Sequence, residues 1–163
     1  MTTWQKYIDG YLLNKQLPGG KWLQKICEYA AILDQKGNVL AKTPGLEIKS
    51  YQHEITNEEG KPEKVLVEEG KALVEIVLTG STKSKAGIRI NNKKYMLVKF
   101  EGGKKLAYFS KIGGGACVMA TKTVIVFASY NTELKMSDGN SQNPGLCNEV
   151  VEKLGDMLVK NNA

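Results

Sequence analysis

Five short runs of branched and alternating apolar residues follow one another in the second half of the chain, separated only by turn signals. In chain order they read GIRI, KYMLVKF, LAYFSK, ACVMAT and TVIVFASY. Asn91-Asn92 and Gly102-Gly103 provide two of the turns, because asparagine and glycine tolerate the backbone conformations of tight turns. Successive strands with no helix between them pair antiparallel, so this region predicts an antiparallel sheet.

Amphipathic helical patterns flank this region. At the N-terminus, Thr2 or Thr3 can cap a helix that ends at Pro18-Gly19-Gly20. Its apolar face consists of residues three and four positions apart, namely Trp4, Tyr7, Ile8, Tyr11 and Leu12. At the C-terminus, Pro144 suits the first turn of another helix. The apolar stripe of that helix is formed by Leu146, Cys147, Val150, Val151, Leu154, Met157 and Leu158.

The intervening segment predicts a hairpin, a long connection and a third helix. The stretch YAAILDQKGNVLAK is typical of a hairpin, with Gly37 in its turn. Residues 44–64 are polar and predict a connection that is either functional or mobile. The stretch VLVEEGKALVEIVLTG has helical spacing, although Gly70 weakens that pattern; its apolar face would hold Leu66, Ala72, Leu73, Ile76 and Val77. A sheet covered by terminal helices would bury all these faces within one domain spanning 1–163.

Charge and cysteine content limit the environment and the partners. The formal charge of +6 favours acidic partners, namely an acidic protein surface, anionic lipid or nucleic acid, without deciding among them. Nucleic acid is disfavoured because the basic residues are not interleaved with aromatic residues. Three cysteines without metal-ligand spacing predict a reducing cytosol rather than a disulfide framework. We expect neither a signal peptide nor a membrane span.

Catalytic patterns are weak throughout the sequence. The single histidine, His53, lies in the polar connection, where a solvated role is favoured over a catalytic one. Gly113-Gly114-Gly115 lacks the Lys-Ser/Thr of a phosphate loop and is typical of a strand turn with close backbone approach. Cys117 and Cys147 fall in apolar patterns that favour packing. We therefore expect a protein that is not an enzyme and needs no cofactor or metal.

Several stretches together resemble the profilin family. They are WQKYID near the N-terminus, GIRINNKKYMLVKF, GGACVMATKTVIVFASYN, and NPGLCNEVVEKLGDML, whose pattern is similar to the plant form of the last helix. The resemblance implies an α+β fold, in which a central antiparallel sheet carries the N- and C-terminal helices on one face and shorter helical segments on the other. It also implies a cytoplasmic, cytoskeleton-associated monomer that binds monomeric actin and regulates filament assembly.

The resemblance assigns two surfaces. The residues matched to the family's actin surface are Lys94, Leu97, Lys99, Lys111, Gly145, Asn148, Glu149 and Lys153. Without the resemblance, the helix residues among them would form an ordinary solvated face with a Glu149–Lys153 pair. The residues matched to the family's cleft for proline-rich segments are Trp4, Tyr7, Leu40, Met157, Leu158 and Ala163.

The proline cleft is expected to bind weakly. Leu40, Met157 and Ala163 stand where the family has larger or aromatic residues, and Trp22 lies in a region that does not align. The connection through residues 131–143 is longer than usual and is either a modifier of actin binding or a disordered insertion. The alternative function is phosphoinositide binding at a membrane, through one basic patch formed by Lys93, Lys94, Lys99, Lys104, Lys105 and Lys111.

Overall fold

A computed structural model describes residues 3–163. The helical elements are α1 (Thr3–Tyr7), a π-helical turn (Ile8–Leu12), α2 (Glu69–Thr79) and α3 (Pro144–Lys160). The strands are β1 (Lys15–Gln16), β2 (Trp22–Leu23), β3 (Tyr29–Asp34), β4 (Val39–Lys42), β5 (Ser50–Thr56), β6 (Pro62–Glu68), β7 (Ile88–Ile90), β8 (Lys93–Glu101), β9 (Leu106–Lys111), β10 (Gly114–Ala120) and β11 (Val124–Asn131).

One seven-stranded sheet organises the fold, with the strand order β4-β3-β11-β10-β9-β8-β7. Every neighbouring pair in it is antiparallel. The five consecutive strands predicted from the sequence, β7 to β11, are therefore confirmed, as is the β3–β4 hairpin. Asn91 and Asn92 form the β7–β8 turn with φ of 55° and 59°, a conformation that asparagine adopts more readily than most residues.

Two cores lie on opposite faces of the sheet. The terminal helices pack on one face, where the largest contributors include Ile8, Leu12, Ile32, Val151 and Leu154. Helix α2 packs on the other face, against Ile125 and Phe127 among others. The predicted α+β architecture is confirmed, with α2 as the helix on the second face.

Two glycines allow the start of α2 to pack closely against the β3–β4 turn. Gly37, in the β3–β4 turn, has a φ of 93°, which favours glycine. A Cβ atom on Gly37 would lie 2.7 Å from the carbonyl carbon of Gly70. Gly70, which weakens the helical pattern in the sequence, lies in the first turn of α2 against the turn at Gly37. A glycine is needed there because a side chain would not fit.

The prediction of a polar connection without regular structure at residues 44–64 is wrong. Most of it belongs to a hairpin in which β5 pairs with β6 from Ser50↔Glu68 to Thr56↔Pro62. Asn57 closes the turn by accepting the backbone N–H groups of Glu59 and Lys61 through its side-chain oxygen, both at 3.0 Å. The predicted third helix also begins later than expected, because Leu66 lies exposed on β6 rather than on α2.

The N-terminal helical segment is shorter than predicted. It ends at Leu12, and Gly19 and Gly20 form the turn between β1 and β2, a short hairpin that the sequence did not predict. The proposed cap at Thr2 lies outside the described residues, as does the side chain of Thr3. No helix among residues 3–163 combines the length and apolar character required to cross a membrane.

Candidate binding surfaces

The terminal-helix side of β8 and β9 forms the first candidate surface, here called the open face. Helix α3 lies on β10 and β11. On that side of β8 the side chains of Lys94 and Lys99 are exposed, whereas Tyr108 on β9 is half-buried beside the helix. The register places Met96 opposite Ser110 and Lys99 opposite Tyr108. Met96 is 68% exposed. An exposed apolar side chain flanked by two lysines provides an apolar centre with a charged rim, the arrangement found in protein interfaces.

A β-bulge determines which side chains reach the open face. The β8–β9 register shifts between Leu97 and Lys99, so Val98 is the extra residue and is 64% exposed. Leu97 pairs with Phe109, whose side chain belongs to the α2 core, while Lys99 pairs with Tyr108 on the opposite side. Strand alternation places Lys94 on the open face and Leu97 on the α2 side, and the bulge brings Lys99 to the side of Lys94. The sequence placed all three on one surface.

Lys111 also lies on the α2 side of the sheet. It is two residues beyond Phe109 on β9, and its Nζ lies 6.0 Å from the ring centroid of Tyr95, a member of the α2 core. At this distance a cation attracts the face of an aromatic ring. Of the four strand residues predicted for actin binding, the structure brings Lys94 and Lys99 together on the open face, and Leu97 and Lys111 on the other.

Helix α3 borders the open face through Glu152. The Tyr108 hydroxyl donates to Glu152 Oε1 at 2.8 Å, and Lys104 Nζ donates to Glu152 Oε2 at 3.4 Å. The pKa of Tyr108 is raised mainly by burial and, to a smaller extent, by the hydrogen bond with Glu152. This hydroxyl therefore stays protonated. Helical spacing showed that Glu152 projects outward, but its strand partner could not be read from the sequence.

The other predicted α3 residues lie along the outer side and the start of the helix. Gly145 is exposed in the first turn, which Asn143 caps by accepting the Leu146 N–H at 2.9 Å. Asn148 is half-buried, and Lys153 is exposed. Glu149 forms an ion pair with Lys15 of β1, so the i,i+4 pair with Lys153 predicted as the alternative is replaced by a link to the N-terminal elements.

The lysines predicted as one lipid-binding patch divide between two ends of the sheet. Lys93 and Lys94 begin β8, whereas Lys104 and Lys105 follow its far end, roughly 25 Å away at the usual rise of a strand. Lys99 pairs with Glu101 at 2.9 Å, and Lys104 is held near Glu152. The six side chains therefore do not form a single basic patch.

Aromatic rings on the N-terminal helical segment form the second candidate surface. The centroids of Trp4 and Tyr7 are 5.6 Å apart, and those of Tyr7 and Tyr11 are 5.5 Å apart, each pair tilted by 44°. We call these three rings the aromatic row. Helix α1 packs beside β4, and the π-helical turn contacts α3, so the row lies next to both elements. Sequence reasoning assigned Trp4 and Tyr7 to binding but left Tyr11 on the core face.

The remaining predicted cleft residues surround the same core. Leu40, Met157 and Ala163 are partly buried against the terminal-helix core. Leu158 is fully packed within it, so it supports the surface from below rather than offering a free face. Ala163 is fixed by its backbone, since its N–H donates to the Leu158 carbonyl at 2.7 Å and its own carbonyl accepts from Thr123 N–H at 3.0 Å.

Two further segments are placed by the structure. Trp22 lies on β2, paired opposite Gln16, and is 52% exposed. The connection 131–143 is hydrogen-bonded to the body, since Ser137 N–H donates to the Gln24 carbonyl at 3.0 Å and Gln142 Nε2 donates to the Lys25 carbonyl at 3.0 Å. The disordered alternative for this connection is therefore wrong.

Comparison with known proteins agrees with this geometry. The profilin family model matches residues 2–163. The chain belongs to the profilin family. Among curated relatives, a profilin of Tetrahymena pyriformis is 31% identical over 161 residues, covering 97% of each chain. Profilins as a family bind actin, regulate its assembly and are not enzymes.

Solved profilins share the fold. Acanthamoeba castellanii profilin IA aligns with a TM-score of 0.67 at 21% identity, covering 99% of this chain and 100% of that one. Mouse profilin IIa, in complex with a double repeat from the FH1 domain of mDia1, aligns with a TM-score of 0.57 at 15% identity, over 99% and 100% of the two chains. At these identities the likeness concerns the fold.

Proposed function

We propose that this protein binds monomeric actin through the open face and the adjoining side of α3, and thereby regulates filament assembly in the cytoplasm. The observation that carries the proposal is the uncovered strand surface with exposed Met96 between Lys94 and Lys99. An apolar centre with a charged rim suits a protein partner, because the apolar contact supplies affinity and the charges supply orientation.

The bond between Tyr108 and Glu152 supports this surface. It joins β9 to α3, so the strand and helix parts of the surface keep one relative position before a partner arrives. A preorganised surface loses less conformational entropy on binding than a mobile one. The basic side chains at the rim favour a partner with acidic groups, and their contribution should weaken as salt is raised.

We also propose a second site, in which the aromatic row binds proline-rich segments. A polyproline helix is already stiff and lies flat against aromatic rings, so it loses little entropy on binding. Trp4 and Tyr7 supply two such rings at 5.6 Å. The solved complex of mouse profilin IIa with a double repeat from the FH1 domain of mDia1 supports this second site.

The deciding experiment is a titration of monomeric actin from the same organism. We expect saturable binding by the unmodified protein and at least about tenfold weaker binding by the double variant Lys94→Glu/Lys153→Glu, because charge reversal at an interface places like charges together. The matched control is Lys36→Glu/Lys64→Glu, which makes the same charge change at two exposed lysines on the β3–β4 turn and β6.

Two outcomes would count against the proposal. Equal weakening by both double variants would indicate a general charge effect rather than a defined surface. Unchanged affinity of the Lys94/Lys153 variant would remove the assignment of the open face. Sedimentation with vesicles containing a phosphoinositide, run in parallel, tests the lipid alternative; membrane binding without actin binding would replace the proposal with it.

A further inference from the structure

We infer that Tyr11 is a binding residue for proline-rich segments and extends the aromatic row by a third ring. The inference rests on the proposed proline-binding function and states where along the surface the ligand lies. It extends the path of the ligand along the N-terminal helical segment, from Trp4 past Tyr7 to Tyr11.

The spacing of the rings fits an extended proline helix. The two centroid steps, 5.6 and 5.5 Å, are nearly equal, so the row is regular. A polyproline helix rises about 3.1 Å per residue, and two residues therefore span about one ring step. A ligand following the row can place pyrrolidine rings against successive aromatic faces without bending its stiff backbone.

Tyr11 has no evident role in the core. Ile8 and Leu12, its neighbours in the π-helical turn, are fully buried and supply the packing of this segment. Tyr11 is 44% exposed and makes its aromatic contact with Tyr7 alone among the described aromatic pairs. A large ring held against another ring, with its remaining surface in solvent, is a preformed contact for a flat apolar ligand.

A π-helical turn carries Tyr11. The Leu13 N–H donates to the Ile8 carbonyl at 3.0 Å, a bond between residues five apart that widens the helical turn. Turns of this kind occur frequently at functional sites. Tyr11 follows Tyr7 by four positions, and across the change from α to π geometry the two rings remain in contact.

The rest of the surface explains why a ring is useful here. Leu40, Met157 and Ala163, which border the terminal-helix core, offer no aromatic face. The flat rings available to a ligand beside that core therefore lie along α1 and the π-helical turn. Tyr11 replaces part of the contact that these residues do not provide, at the opposite end of the row.

The test is calorimetric titration with a proline peptide of twelve residues, which is long enough to cover the whole row. We expect Tyr11→Leu to weaken binding of this peptide about three- to tenfold. Tyr11→Phe, which keeps the ring, should bind the peptide as the unmodified protein does. Trp22→Leu, the matched control, removes an exposed ring outside the row.

The outcomes separate this inference from the proposed function. Normal binding of the peptide by Tyr11→Leu, with loss on Trp4→Ala, would overturn the role of Tyr11 and leave proline binding intact. Equal weakening by Tyr11→Leu and Trp22→Leu would overturn the assignment of Tyr11 to the binding surface. No binding of the peptide by the unmodified protein would overturn the proposed function as well. Nuclear Overhauser contacts between the Tyr11 ring and proline protons, measured on the unmodified protein, test the placement without any substitution.

Discussion

The buried carboxylate of Glu69 accepts a hydrogen bond from the backbone N–H of Asn91 across 2.9 Å. Its other oxygen accepts the Asn92 N–H at 2.8 Å and the Tyr51 hydroxyl at 2.6 Å. Glu69 is only 1% exposed and lies in the first turn of α2. One side chain thus connects α2, the β5 strand and the β7–β8 turn, immediately before the strand that carries the open face.

We predict that Glu69→Ala lowers the free energy of unfolding by about 3 kcal/mol, because two backbone N–H groups and one hydroxyl lose a buried charged acceptor. Urea denaturation measures the change. Glu68→Ala is the matched control; Glu68 is the adjacent residue and makes only a partly exposed pair with Lys71, so its loss should cost less than about 1 kcal/mol. Similar losses in both variants would contradict the role of Glu69.

The predictable part of the fold is the part with apolar periodicity. The strands β7 to β11 and helix α3 repeat apolar residues at intervals of two or of three and four, so their type could be recognised. The β5–β6 hairpin could not, because its inward positions include His53 and Glu63 beside Tyr51 and Val65. The hairpin is stabilised by the pairing of its two strands and by the hydrogen bond from Tyr51 to Glu69. Neither interaction produces a repeating apolar pattern in the sequence.

The candidate surfaces were predictable as residue types but not as neighbours. Helical spacing correctly placed Glu149 and Lys153 on the outside of α3. The side of the sheet that Lys99 faces depended on the bulge at Val98, which shifts the register by one residue and has no sequence signature here. The partner of Glu149, Lys15, lies far away in sequence, so only the fold brings the two together.

The connection 131–143 contributes a buried side chain to the terminal-helix core. Met136 is 4% exposed and belongs to the terminal-helix core. We predict that Met136→Ala lowers the free energy of unfolding by about 2–3 kcal/mol, since removing a buried methionine leaves a cavity. Leu134→Ala, an exposed apolar position in the same connection, is the control and should change stability little.

This pair of variants also tests the influence of the connection on actin binding. A thermal or urea transition unchanged by Met136→Ala would show that the connection does not pack as described. If Leu134→Ala weakens actin binding while the fold is unchanged, the connection is a modifier of the interaction. Equal affinity of Leu134→Ala and the unmodified protein would favour a purely structural role.

The three cysteines should be inert in the folded protein. Burial raises the pKa of Cys117, and the hydrogen bond with Cys27, followed by burial, raises that of Cys147. Because the thiolate is the reactive form, the raised pKa values keep Cys117 and Cys147 neutral at pH 8. Cys27 is only 4% exposed and is shielded from reagents by burial. We predict that iodoacetamide modifies the three thiols more than about a hundredfold more slowly in the native protein than in urea, as followed by mass spectrometry. Rapid native labelling of Cys147 would contradict the packing at the start of α3.

The proposed proline-binding surface can be tested by introducing an aromatic ring at position 40. Leu40 and Val39 are neighbours on β4, but their side chains point to opposite faces of the sheet. Leu40 packs against the terminal-helix core beside α1, and Val39 packs against the α2 core. A tryptophan at position 40 can therefore join the surface that holds the aromatic row, whereas one at position 39 cannot.

We predict that Leu40→Trp tightens binding of the twelve-residue proline peptide about fivefold, because one added aromatic contact is worth about 1 kcal/mol. Val39→Trp, which adds the same ring on the other face, should leave the affinity unchanged. Calorimetric titration measures both affinities, and circular dichroism confirms that each variant is folded. If Leu40→Trp binds the peptide no more tightly, or if Val39→Trp gives the same gain, the ligand does not pass between α1 and β4. A gain that persists when Tyr11→Leu is added would show that the two rings contact different parts of the peptide.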